Sequence, residues 1–369
     1  MTTPNPHPRI KVDGPAEFAQ LLPFLVGHQP EDCIALHGRL DTATGTGPTM
    51  TLPLPDDPAT WQAVAVSLAS DFHHVTHEHG RHDILDIVVF LCRTPRPGQS
   101  AEETAEALRP LADYFVDAFD DLGRAPVMST IALVDNRWWA YECHLPGCCE
   151  GEPLPSPDDP TSVAAQLARH GWTLGRRTSE ITQEFQPAEP EDAAGLRRAL
   201  DNEGAAWAQY CASPSDDGTV LQATHALLET AIDDFRVGAT ELAHDVTARL
   251  IHGLNDEWAR DHGLEHIEDD DLPHTRRLWA FLARHAIPPY ETAAIPALTL
   301  LAAVAWRQDD LPTARYALKH ALTLDPNDEL ADALHNAIND GADAASLLPI
   351  ARNAKTERHA RAQTDTTHT

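Results

Sequence analysis

Positive charge is scarce in this chain. Against 57 Asp and Glu stand 27 Lys and Arg, of which three are lysines (Lys11, Lys319 and Lys355), so the formal net charge is −30. A protein that neutralises phosphates needs a basic face, so nucleic-acid binding is not expected. The same deficit tells against docking on an anionic membrane surface. Long apolar runs are lacking too: Ile84 to Cys92 and Ile295 to Trp306 are far shorter than the ~20 residues a spanning helix requires. Met1 to Pro8 is polar and proline-rich, with no apolar core of a secretory signal behind it. A cytoplasmic protein with no membrane partner is the expectation. Six cysteines do not make a disulfide scaffold in a chain of this length, and a reducing compartment would keep them as thiols. A Gly-rich phosphate loop, a Gly-x-Ser-x-Gly elbow and a His-Glu-x-x-His helix are all missing.

What is present reads as two regions. Residues 10–150 alternate helix and strand signals. Apolar stripes predict helices over Pro15 to Val26, Pro58 to His74 and Ala101 to Leu122, the last closed by Gly123 in a left-handed cap. Strands are expected at Cys33 to Leu40, Thr49 to Leu54 and Asp83 to Cys92. The last of these is almost continuously apolar, as a strand covered on both faces should be. Val127 to Cys143 reads as a long strand or a hairpin. The sum is a three-layer α/β domain with a mostly parallel or mixed sheet. Residues 151–189, with four prolines before residue 161, read as a linker and short helix. Residues 190–350 read as an all-α domain, clearest at Thr219 to Phe235, where Leu221, Thr224, Leu228, Ala231 and Phe235 keep helical spacing. Asp269-Asp270-Asp271-Leu272-Pro273 predicts a helix start with an Asp cap; a metal site on those aspartates is the lesser reading. Residues 351–369 are expected to form a disordered tail. Within Ile295 to Ile338, Ala314, Ala321 and Pro326 stand where a tetratricopeptide-like helical hairpin places its small residues and closing proline, although Ala302 replaces the usual Gly.

Several stretches together resemble the actinobacterial domain-of-unknown-function family 4192. They are Gly14-Pro15-Ala16-Glu17-Phe18, Leu22 to Asp32, Asp135-Asn136-Arg137-Trp138-Trp139-Ala140-Tyr141, Cys143 with Cys148-Cys149, Gly151 to Leu154, Val163-Ala164-Ala165, Pro296 to Trp306 and Ala314 to Pro326. The chain departs from the family pattern at Cys33 and Ala140, where Ser is usual, and at Glu150, where proline often follows the paired cysteines. The likeness implies a fold and a host group, and no reaction.

One compact constellation carries candidate chemistry. Cys143, His144, Cys148 and Cys149 place three thiols and an imidazole within seven residues, a donor set that suits zinc. The spacing is not that of a Cys-x-x-Cys knuckle, so a redox pair and plain packing stand beside the metal reading. Five histidines between His73 and His82 include the one-turn pair His73 and His77, read either as metal ligands or as favourable charges at a helix C-terminus. Asp32 stands four residues after His28, close enough to orient it as a base. Two functions follow as expectations. The first is a non-catalytic interaction or scaffold protein with a protein partner, resting on the helical hairpin and the missing catalytic signatures. The second is an enzyme or small-ligand binder, zinc included, with a site at the strand ends formed by His28, Asp32, Arg137, Trp138 and Trp139, where open α/β sheets bind ligands.

Overall fold

The computed structural model describes residues 12, 14–40, 47–78, 84–142, 151–188, 190–212 and 219–366. They divide into two compact units, Met1–Thr178 and Ser179–Thr369.

The first unit is a six-stranded sheet with helices on both faces. Its strands are β1 (Cys33–Leu40), β2 (Thr49–Pro53), β3 (Ile84–Cys92), β4 (Val127–Val134), β5 (Arg137–Ala140) and β6 (Glu152–Pro153), in the order β2-β1-β3-β4-β5-β6. The sheet is mixed and chiefly antiparallel, because among the described strands β3–β4 pair in parallel and the other four pairings are antiparallel. A parallel pair needs a long crossover, and α3 (Ala101–Leu122) supplies it. The β4–β5 connection is instead a tight hairpin whose Asp135 and Asn136 both take positive φ, 48° and 57°, the backbone that matches strand twist. Ser100 starts α3 with a capping box to Glu103, and Gly123 ends it at φ 60°, as its position predicts.

Alternation along the strands separates two apolar layers. Ile34, Leu36, Val89, Leu91 and Trp139 pack with α2 (Trp61–Glu78) and α3. Ala35, Val88, Phe90 and Ile131 pack with Phe18 and Leu22 of α1 (Pro15–Val26) on the other face. The three-layer α/β expectation therefore holds. The proline-rich segment is not a free linker: Glu152 and Pro153 pair with Trp138 and Arg137, and α4 (Val163–Ala168) follows within the same unit. Two residues with a proline make a short edge strand that resists further pairing.

The second unit is all helical. Its helices are α5 (Thr178–Gln183, starting at the boundary), α6 (Ala193–Ala212), α7 (Thr219–Arg236), α8 (His244–Gly253), α9 (Glu257–Leu264), α10 (Leu272–His285), α11 (Ile295–Arg307), α12 (Leu311–Leu324), α13 (Glu329–Asn339) and α14 (Leu347–Thr366). Phe185, Phe235, Trp279, Leu298 and Leu301 lie at its centre. Residues 351–366 of the tail expected to lack structure are helical, as part of α14, which ion pairs tie down: Arg352 Nε to Glu268 Oε1 at 2.7 Å and Arg358 to Glu265. Asp271 precedes α10, but its side chain makes no capping bond. It faces Arg236 at 3.3 Å and His274 at 3.6 Å, while Asp269 pairs with Arg307 at 2.7 Å. Two of the three aspartates, Asp269 and Asp271, are thus engaged in ion pairs. No helix among the described residues is long and apolar enough to cross a membrane.

Candidate metal centre in the helical unit

The residues expected to form a site at the sheet end are only partly brought together. The register aligns Cys33, Cys92, Leu133 and Trp138 across four strands, so Asp32 and Arg137 do share one end of the sheet. Three strand spacings, about 14 Å, separate them. Asp32 Oδ1 accepts from the Thr94 amide at 3.0 Å, and His28 is buried with Nδ1 3.1 Å from the Val26 carbonyl. Trp138 and Trp139 face opposite layers, as neighbours on a strand must. Arg137 lies 6.0 Å from the Trp139 ring centroid and donates to the Gly151 carbonyl. Gly151, at φ 76°, is required there, because a Cβ would come within 2.3 Å of the Trp139 indole. A cleft of about 330 Å³ opens at the other end of the sheet, beside His73, His77, Ile87 and Pro126. The His73 and His77 rings sit 6.0 Å apart. Cys143, His144, Cys148 and Cys149, with His79 and His82, lie outside the described residues.

A different cluster is assembled in the helical unit. The apolar stripe of α7 faces the core through Leu228, Ala231, Ile232 and Phe235, which leaves His225 and Glu229, one turn apart, on its flank. Helix α9 starts at Asp256, whose carboxylate accepts from the Trp258 and Ala259 amides, and runs eight residues to its end beside His262, Glu265 and His266. Gly263 lets that end approach the core: a Cβ there would lie 2.9 Å from Leu300 and 3.3 Å from Trp279. Packing thus fixes where the two imidazoles point.

Glu229, His262 and His266 each offer a ligand atom, all within 4.8 Å of one another. Glu229 Oε1 stands 2.9 Å from His262 Nε2 and 3.6 Å from His266 Nε2. Two ligands of one tetrahedral zinc, each about 2.0–2.1 Å from the ion, lie about 3.3 Å apart, so the observed separations bracket that distance. The His262 side chain is 1% exposed and that of His266 9%. Both Nε2 atoms are buried without a hydrogen-bond partner, despite the neighbouring carboxylate. Close but misaligned contact is what ligands of a common ion show, because their lone pairs converge on a point between them instead of on each other. Burial lowers the pKa of His266, opposed by Glu229 and reinforced by His262, which favours the neutral imidazole a metal requires. The half-exposed Glu229 carboxylate leaves the cluster reachable from solvent.

Behind His262 stands an outer partner. Glu265 Oε2 is 3.5 Å from His262 Nδ1, and Arg358 of α14 grips both Glu265 oxygens, at 2.9 and 2.8 Å. Burial alone would raise the Glu265 pKa, but His262 and Arg358 outweigh it and hold it at about 2. A carboxylate that supports the far nitrogen of a metal-binding imidazole is a recurrent element of metal sites. The order His262-x-x-Glu265-His266 is also the one in which some metallopeptidase helices carry two ligands and a catalytic base. Here Glu265 is a poor base: it faces Nδ1, both oxygens are engaged, and its proton affinity is low.

Two one-turn pairs, His225/Glu229 and His262/His266, were the signal in the sequence. Neither stood out among 21 histidines, and the 32 residues between Glu229 and His262 hide their convergence. Against known proteins, the profile of the family described as domain of unknown function (DUF4192) matches residues 15–345. The chain belongs to this family. Comparison with curated proteins and with solved structures finds no match. The DUF4192 match spans both units, so the cluster lies inside the family's extent.

Proposed function

We propose that this DUF4192 protein is a metalloprotein whose helical unit holds one divalent transition-metal ion on His262, His266 and Glu229. The observation that carries it is the pair of buried, unpartnered Nε2 atoms set against one carboxylate oxygen. A polar nitrogen buried without a partner is costly, and a bound ion removes that cost. Two imidazoles with one carboxylate suit zinc, iron(II) or nickel, whereas magnesium and calcium prefer oxygen alone. The Arg358–Glu265 pair steadies His262 for the task. The interaction role has thinner support, since twelve of the thirteen residues of α11 are buried and that helix keeps little surface for a partner.

Metal analysis of the purified protein, stripped with chelator and reloaded with zinc, tests the proposal. One zinc per chain is expected, lost on His262→Ala and His266→Ala and retained when Cys143, Cys148 and Cys149 are replaced by Ser. Zinc lost from the cysteine variants and kept by the histidine variants would move the centre to the thiols and overturn this reading.

A further inference from the structure

The α/β unit holds a pair of thiols that the metal centre leaves unused. Cys33, the first residue of β1, and Cys92, the last of β3, stand directly opposite each other in the antiparallel ladder. Opposed residues project from the same face of a sheet, and both cysteines pack in the apolar layer with Phe18 and Leu22 of α1. Backbone hydrogen bonding fixes how near they come. The Leu54 amide donates to the Asp32 carbonyl, so Asp32 turns its backbone polar groups towards β2 and Cys33, one residue on, turns its own towards β3. Opposite residues that exchange both backbone bonds have Cα atoms about 5.5 Å apart, inside the roughly 4.4–6.8 Å that disulfides span. Both thiols are free, and they are 4% and 1% exposed. The Cys33 thiol beside it, and then burial, raise the Cys92 pKa well above the usual thiol range. Solvent is nonetheless one residue away, because the side chain of Asp32, next to Cys33, is half exposed, and strand ends open at lower cost than strand centres.

We propose that Cys33 and Cys92 form a reversible oxidation site, which a low-molecular-weight disulfide closes into a cross-strand disulfide that locks β1 to β3. When the strand ends open, the thiolate of one cysteine attacks the S–S bond of the oxidant, releasing one thiol and leaving a mixed disulfide. The thiolate of the other cysteine then displaces the second thiol as the Cys33–Cys92 bond forms. The protein gives up two electrons and two protons, and the oxidant disulfide becomes two thiols. The covered, protonated thiols make this exchange slow, so the site answers sustained oxidation. The link closes a loop that holds β2 and α2, and it thereby restrains the unfolded chain.

The test uses the full chain with Cys143, Cys148, Cys149 and Cys211 replaced by Ser, incubated with oxidised glutathione without denaturant. Peptide mapping should recover Cys33 and Cys92 as one linked pair, and the intact mass should fall by two hydrogens. The midpoint of thermal unfolding should rise by about 5 °C or more, and dithiothreitol should reverse both changes. Adding Cys33→Ser should abolish the link and the rise. Thiols that react only after unfolding in urea, or a linked pair whose midpoint stays or falls, would overturn the proposal. Zinc content is read separately on the same samples and should be equal before and after oxidation, so this proposal and the metal centre fail independently.

Discussion

Both units bury histidines, and they treat them differently. In the α/β unit His28 meets the Val26 carbonyl at 3.1 Å and His37 meets Thr49 Oγ1 at 2.9 Å. In the helical unit His252 and His285 are satisfied in the same way, by the carbonyls of Leu200 and Phe281. His225, His262, His266 and His274 each keep a buried nitrogen without a partner, and of these His262 and His266 come together with Glu229 within 4.8 Å. Burial of an imidazole is therefore not a mark of function here. Convergence of two such nitrogens on one carboxylate is, whereas a lone one, like His274 Nε2 at 3.6 Å from Asp271, is not.

That contrast can be broken most directly by substitution. His262→Ala should abolish stoichiometric zinc binding, whereas His37→Gln should leave it intact; equal zinc content in the two variants, read by elemental analysis, would erase the distinction. The next effect belongs to the α/β unit. Burial, helped by Arg39 and opposed by Asp86, pushes His37 down to about 4. The unfolded chain takes up this proton near 6.5 and the folded one only near 4, so the stability tied to a neutral His37 is complete above pH 6.5. It is lost as pH falls towards 4, by about 3 kcal/mol. Hydrogen exchange of β1 and β3, measured across that window and corrected for intrinsic rates, should show the slope in the wild type and a flatter profile in His37→Gln.

Zinc itself supplies the third comparison. At a free concentration about 100 times its Kd, an ion bound only to the folded state adds about 2.7 kcal/mol. Exchange protection should rise in α7 and α9 and stay unchanged in the sheet; a uniform rise would contradict a centre confined to the helical unit. The smallest effect is that of the outer partner. Glu265→Gln and Arg358→Ala should each weaken zinc binding by about 10–100-fold without changing its stoichiometry, measurable by competition with a chromophoric chelator.

Much of the architecture was legible in the residues. The stripe of Phe18, Leu22 and Leu25 marks α1, the run Ile84 to Leu91 marks a strand covered on both faces, and Gly123 marks the end of α3. Polar and proline-rich segments were harder. Glu152 and Pro153 add an edge strand because β5 offers them a free side, and α14 forms where Arg352 and Arg358 find Glu268 and Glu265. Such pairings depend on distant residues and leave no local pattern. Among the candidate residues, Arg137 and Trp139 do meet, while Trp138 is turned to the opposite face by strand alternation and Asp32 stands strands away.

By itself the sequence determined the two-part division, the two apolar layers of the sheet and the membership in DUF4192, since periodicity and spacing are properties of neighbouring residues. Only the tertiary structure decided which histidines matter. Glu229 and His262 are brought to 2.9 Å by the packing of α7 against α9, while Gly263 lets α9 sit close on Leu300 and Trp279, and no local rule encodes a contact between residues 33 positions apart.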